Sequence, residues 1–205
     1  MTLNMLIGIL EQGLIYGIMA MGLLITYRIL DFPDLTVDSS FPLGAAVSAT
    51  LTLQGVAPWL TLLIGCAAGG IAGLITGLIH VKCRVRDLLS GIITMTGLYS
   101  INLHIAQNKA NLPLFGGDTL FRNAFTKSLP KAISPYTTLI IIFLIALIAK
   151  ILLDLFLRTK CGYLLRAAGD NPSVVTTLSR DQGTVKILGL IIANALVALA
   201  GAVMC

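Results

Sequence analysis

Arg158–Gly183 reads RTKCGYLLRAAGDNPSVVTTLSRDQG and is the longest polar interruption between two strongly apolar segments. An interruption of that kind between two apolar runs is what a loop at a membrane surface looks like. Asp170-Asn171-Pro172 carries the marks of a helix start. Asn171 can cap, and Pro172 suits the first helical position, where its missing N–H would be unpaired anyway. A short helix over 173–179 is therefore expected. Gly162 and Gly169 flank Leu164–Ala168, so the backbone is expected to turn sharply twice. Arg158, Lys160, Arg166, Arg180 and Lys186 outnumber the acids Asp170 and Asp181, an imbalance that marks the cytoplasmic side.

Outward from that stretch the chain is apolar. Of 205 residues, 57% are hydrophobic and 11% charged, and mean hydropathy is +0.94; a soluble domain carries roughly 25% charged residues. The expected fold is all-α, a polytopic transmembrane helical bundle of about six spans over 5–27, 41–55, 58–81, 88–105, 135–157 and 184–204, forming a single domain with the cytoplasmic loop 158–183. The first segment lacks a basic leader and a small-residue cleavage pattern, so it is expected to stay as a span. Net charge is +5, but the cations sit at the ends of apolar runs rather than in a stripe interleaved with aromatics, which argues against nucleic acid as a partner. With 158–183 inside, Arg28, Lys82, Arg84, Arg86 and the five cations between 158 and 186 are inside, against Lys109, Arg122, Lys127 and Lys131 outside. Cys66, Cys83, Cys161 and Cys205 are scattered without metal-ligand or disulfide spacing, and no metal is expected.

Within the spans, Gly8, Gly13, Gly17 and Gly22 recur at four or five residues and predict a face that another helix approaches closely. Gly65, Gly69, Gly70, Gly73 and Gly77 predict a second such face. Glu11 and Gln12 interrupt the first span; an acid there faces a cavity or a partner, leaving a pathway role and an interhelical role both open. Asn102 and Asn194 are the other candidates for a translocation pathway, with hydrogen bonding between helices as their alternative reading. Residues 28–40 (RILDFPDLTVDSS) read as a solvated loop in which Asp38, Ser39 or Ser40 caps the next helix. Asp31, Asp34 and Asp38 at spacings of three and four also allow a metal-dependent membrane transferase. The span over 41–55, rich in Ser and Thr, is expected inside the bundle. Lys150 and Asp154 are spaced to pair, as are Arg166 and Asp170.

The run Gly162-Tyr163-Leu164-Leu165-Arg166-Ala167-Ala168-Gly169-Asp170-Asn171-Pro172, with Ala198-Leu199-Ala200-Gly201-Ala202 further on, resembles the cytoplasmic coupling loop of binding-protein-dependent ABC importer permeases. Similarity is greatest to the branched-chain amino acid permease family, with its tryptophan-type and uncharacterised relatives. Glu11–Gly22 resembles that family's opening span and Leu43-Gly44-Ala45-Ala46 its second. The resemblance implies a non-enzymatic permease subunit, multi-pass in the cell (inner) membrane, that translocates a small solute such as an amino acid. It implies a homodimer or heterodimer of permeases in contact with membrane lipid, an ABC ATP-binding subunit and an extracytoplasmic solute-binding protein. No cofactor is expected, since the sequence has no GxxxxGK[ST] loop and ATP belongs to the separate subunit. Arg166, Gly169, Asp170, Asn171 and Pro172 would form the ATPase-coupling element. Family members continue beyond six spans, so the chain is expected to be truncated relative to them. A ribose-type sugar permease and a secondary transporter using Glu11 are the remaining alternatives.

Overall fold

The computed structural model describes residues 2–107, 134–170 and 182–205, and every described element is helical. In order these are α1 (Thr2–Leu23), which runs on without a break as a π-helical segment (Leu24–Ile29), α2 (Val37–Leu53), α3 (Pro58–Lys82), α4 (Asp87–Ile105), α5 (Ser134–Leu157), α6 (Lys160–Asp170) and α7 (Gln182–Met204). Among the described residues, five stretches are long and apolar enough to cross a membrane: Met5–Ile29, Pro58–Lys82, Asp87–Ile105, Tyr136–Leu157 and Gln182–Met204. The chain is thus a multi-pass helical bundle. The sixth expected span is α2, whose 17 residues reach about 26 Å at 1.5 Å per residue, short of a ~30 Å hydrocarbon core. It lies inside the bundle, packed against α3, α4 and α7.

α7 is the centre. It packs against α1, α2, α3, α6 and the π-helical segment, and Leu190, Ala193, Asn194, Val197, Ala198 and Ala200 are wholly buried. Small residues let this happen. A Cβ on Gly73 of α3 would collide with the Leu190 carbonyl, one on Gly44 of α2 with the Ala198 carbonyl, and one on Gly201 of α7 with the Phe41 carbonyl. Backbones therefore meet directly, which is how helices associate in lipid, where apolar burial supplies no drive between them. At the α6 end of the bundle, a core of Ile25, Leu30, Phe32, Leu153, Leu157, Leu165 and Leu190 joins α5, α6 and α7 to the π-helical segment.

Three expectations change here. The polar stretch from Arg158 contains an 11-residue helix, α6. Gly162 and Gly169 do not turn its backbone: both lie within the helix at unexceptional φ, and their missing side chains instead admit the Leu157 and Ile29 backbones. The helix is amphipathic, burying Gly162, Leu165 and Ala168 at intervals of three while Arg166 and Asp170 are exposed. Second, α2 starts at Val37 with Thr36 at its N-cap and no side-chain cap bond. Ser39 and Ser40, expected to cap, are turned to other helices. Third, among the described residues only Gly22 of the α1 glycines is approached closely, by Ala193 and Val197; Gly8, Gly13 and Gly17 have no described atom within 4 Å. Among the described residues, neither Lys150 with Asp154 nor Arg166 with Asp170 forms an ion pair; the close contact that does form with a carboxylate is that of His80 with Asp87, at 3.0 Å.

Candidate functional site

Most of the segment 28–40, expected to be a solvated loop, is buried or half-buried, with Arg28, Asp31 and Asp38 exposed. The π-helical segment closes with Leu30 N–H donating to Ile25 O at 2.9 Å and Phe32 N–H to Thr26 O at 2.9 Å. Pro33 cannot donate, and it biases Phe32 away from helix. Asp31 takes φ +50°, a left-handed conformation that a short polar side chain tolerates. Over 31–36 alternate side chains then turn inward: Phe32, Asp34 and Thr36 are 0%, 1% and 0% exposed, whereas Asp31 is exposed and Pro33 and Leu35 are half-buried.

Asp34 is the hub of a buried polar network. One carboxylate oxygen (Oδ1) accepts the Thr36 N–H at 2.9 Å; the other (Oδ2) accepts from Asn194 Nδ2 at 2.8 Å. The same amide donates to Leu190 O at 3.1 Å, and Ser40 Oγ donates to Asn194 Oδ1 at 2.6 Å. An ionised carboxylate only accepts, so this network fixes which way the Asn194 amide points. Thr36 and Thr76 hydroxyls are 2.9 Å apart; because Thr76 gives its proton to Ala72 O, Thr36 donates. A second set ties α2 to α4: Ser39 Oγ donates to Met95 O at 3.0 Å and Asn102 Nδ2 to Ser39 O at 3.0 Å. Asn102 Oδ1 is buried without a partner among the described residues.

Near the C-terminal end of α3, His80 Nδ1 lies 2.8 Å from Val85 O and 3.0 Å from Asp87 Oδ1, while Nε2 faces Lys186 Nζ at 3.3 Å. An ammonium only donates, so Nε2 accepts and Nδ1 carries the proton. Phe32 meets the His80 ring edge-on at 5.2 Å.

α6 presses on the segment that carries Asp34 into the bundle. Gly169 abuts the Ile29 carbonyl, and Leu165 and Ala168 share a core with Ile25 and Leu30. Of the expected coupling residues, Arg166, Gly169 and Asp170 lie on α6; Asn171, Pro172 and the helix over 173–179 fall outside the described residues, as does the exterior stretch 108–133. Of the pathway candidates, Asn102 and Asn194 are both buried and bonded to α2, Asn102 donating to Ser39 O and Asn194 accepting from Ser40 Oγ. Glu11, half-buried, and Gln12, exposed, stand apart on α1. Asp31, Asp34 and Asp38 do not converge: Asp34 is buried, the other two are exposed, and no group of three or more His, Cys, Asp or Glu side chains among the described residues could hold a metal ion. Reading the sequence alone misses Asp34, Thr36 and Ser40 as a site, because the polar side chains at 34 and 36 are the ones buried while the apolar Leu35 between them is only half-buried.

Residues 5–205 match the family described as "Branched-chain amino acid transport system / permease component". The chain is 43% identical over 199 residues to a tyrosine transport system permease protein of Clostridioides difficile, covering 97% of this chain and 63% of that one. It is 34% identical to an uncharacterized protein of Rickettsia prowazekii, covering 97% and 67%. It is 29% identical to a probable branched-chain amino acid transport permease protein of Methanocaldococcus jannaschii, covering 94% and 64%. This chain therefore spans roughly two thirds of the length of these relatives. No solved structure matches it significantly. With the family model matching almost end to end, the chain belongs to the branched-chain amino acid transport permease family.

Proposed function

We propose that this chain is the membrane-spanning subunit of an ATP-driven importer in the cell (inner) membrane that passes a small polar solute, an amino acid or related compound. The observation that carries this reading is the family match over 5–205, with relatives named for tyrosine and branched-chain amino acid transport narrowing the solute class. Its partners would be an ATP-binding subunit, a second permease and an extracytoplasmic solute-binding protein. ATP would be used by the separate subunit.

The coupling element would be Arg166, Gly169, Asp170, Asn171 and Pro172. Packing supports that role. Arg166 and Asp170 face solvent, free to meet a partner, while the opposite face of α6 bears on Ile29 and Leu30. A push on α6 would reach the π-helical segment and, a few residues on, Asp34. Segments containing π-turns are departures from regular helix that recur at functional sites.

The test is ATP-driven uptake of labelled L-tyrosine and L-leucine into proteoliposomes containing the whole transporter. Uptake of either that needs both ATP and the binding protein is expected. The charge-reversed variant Arg166→Glu with Asp170→Lys should lose ATPase association or at least tenfold of transport. If assembly and uptake stay unchanged, the coupling role is wrong; if neither amino acid is taken up by the unmodified transporter, the solute class is wrong.

A further inference from the structure

Between the cytoplasmic end of α1 with its π-helical continuation and the segment 34–38 lies a cleft of about 580 Å³, within the ~300–1,000 Å³ typical of small-molecule sites. Tyr27 and Arg28 line one wall, Asp34, Leu35 and Asp38 the other, with Leu23 among the apolar residues between them. Asp34 is the odd member. Its side chain is 1% exposed, yet both oxygens accept only from neutral donors, the Thr36 amide and the Asn194 carboxamide. Among the described residues it has no ion pair. Taking a carboxylate out of water carries a desolvation cost that neutral donors return only in part, and an opposite charge is what offsets the rest. A carboxylate has about four acceptor positions, so positions remain beyond the two in use. Arg28 opens on the same cleft, exposed, and pairs with neither Asp34 nor Asp38. One cleft thus holds a cation and two carboxylates kept apart, the complement of a zwitterion.

We propose that this cleft binds the α-amino acid backbone during passage. The solute's ammonium lies against Asp34 with Asp38 nearby, its carboxylate takes the Arg28 guanidinium, whose planar fork suits it, and its side chain lies against Leu23 and Tyr27. This deepens the amino acid reading above and rests on it. Because Gly169 of α6 backs Ile29, the residue next to Arg28, movement of α6 would shift one wall of the cleft against the other.

The test is binding of labelled L-tyrosine and L-leucine to the purified complex of permease and ATPase, with the solute-binding protein left out. Tyramine, lacking the carboxylate, and 3-(4-hydroxyphenyl)propionate, lacking the ammonium, serve as competitors for tyrosine. Both should compete at least tenfold more weakly than unlabelled L-tyrosine. Asp34→Asn and Arg28→Gln should each weaken binding at least tenfold while eluting as intact complexes. Arg28→Gln, at an exposed position, keeps the test decisive should Asp34→Asn fail to fold. Competition by both analogues as strong as by tyrosine, wild-type binding in Arg28→Gln, or no binding to a complex that does transport either amino acid would overturn the cleft assignment. Absence of amino acid transport by the unmodified transporter would instead overturn the reading beneath it.

Discussion

α1 and α3 are both glycine-rich apolar helices of similar length, yet they occupy opposite situations. On α3, Gly69, Gly73 and Gly77 each lie where an added Cβ would strike α7; on α1, Gly8, Gly13 and Gly17 face open space. Burial differs accordingly, at 44% of the apolar window of α3 against 17% for the first span. Glycine spacing therefore reports a capacity for close approach, and only the fold says whether it is used. What distinguishes the two is how they meet α7: Ala198 and Ala202 of α7 face the α3 glycines Gly69 and Gly65, whereas of the α1 glycines only Gly22 meets α7 closely, and Ile15 and Ile18 pack against it with full side chains.

The sharpest way to break this contrast is to add side chains to both helices. Gly73→Leu must drive α3 and α7 apart and should cost about 3 kcal/mol or more, seen as loss of folded protein in a detergent unfolding titration. Next comes the polar pin of the same seam. Asn194→Leu strands the Asp34 carboxylate and the Ser40 hydroxyl, and should cost about 2 kcal/mol in the same titration. Ser39→Ala removes one bond to Met95 O from the α2–α4 contact, where interhelical bonds in membranes average about 0.6 kcal/mol. Smallest of all, Gly17→Leu on the open face of α1 should stay within about 0.5 kcal/mol of the parent; a loss as large as that of Gly73→Leu would mean that this face is filled.

These differences also show how far sequence reasoning reaches. The five long spans announce themselves because ~20 apolar residues have few other places to be. α2 is visible as a helix but not in its start, because its N-terminal serines resemble caps and are in fact used between helices. Asp34 reads as solvated, since an aspartate next to proline in a polar stretch normally is. Its burial depends on Asn194, 160 residues later, supplying a donor, and no local pattern encodes that meeting. Asn194 itself is recognisable, because an amide in the middle of an apolar span needs a partner whatever the fold. Gly162 and Gly169 draw notice for the freedom of their backbone, yet what matters is the room that their missing side chains leave for Leu157 and Ile29.

The claim on which the rest depends is that Asp34 and Asn194 act as one clasp holding the re-entrant segment onto α7. A double-mutant cycle of Asp34→Leu and Asn194→Leu, read by detergent unfolding of the whole chain, tests it most directly. The clasp requires non-additivity of about 1–3 kcal/mol, with the double variant less damaged than the two single losses combined, because the second substitution removes a group already stranded by the first. Single losses that add to within about 0.5 kcal/mol would mean that the two residues do not depend on each other, and would contradict the account.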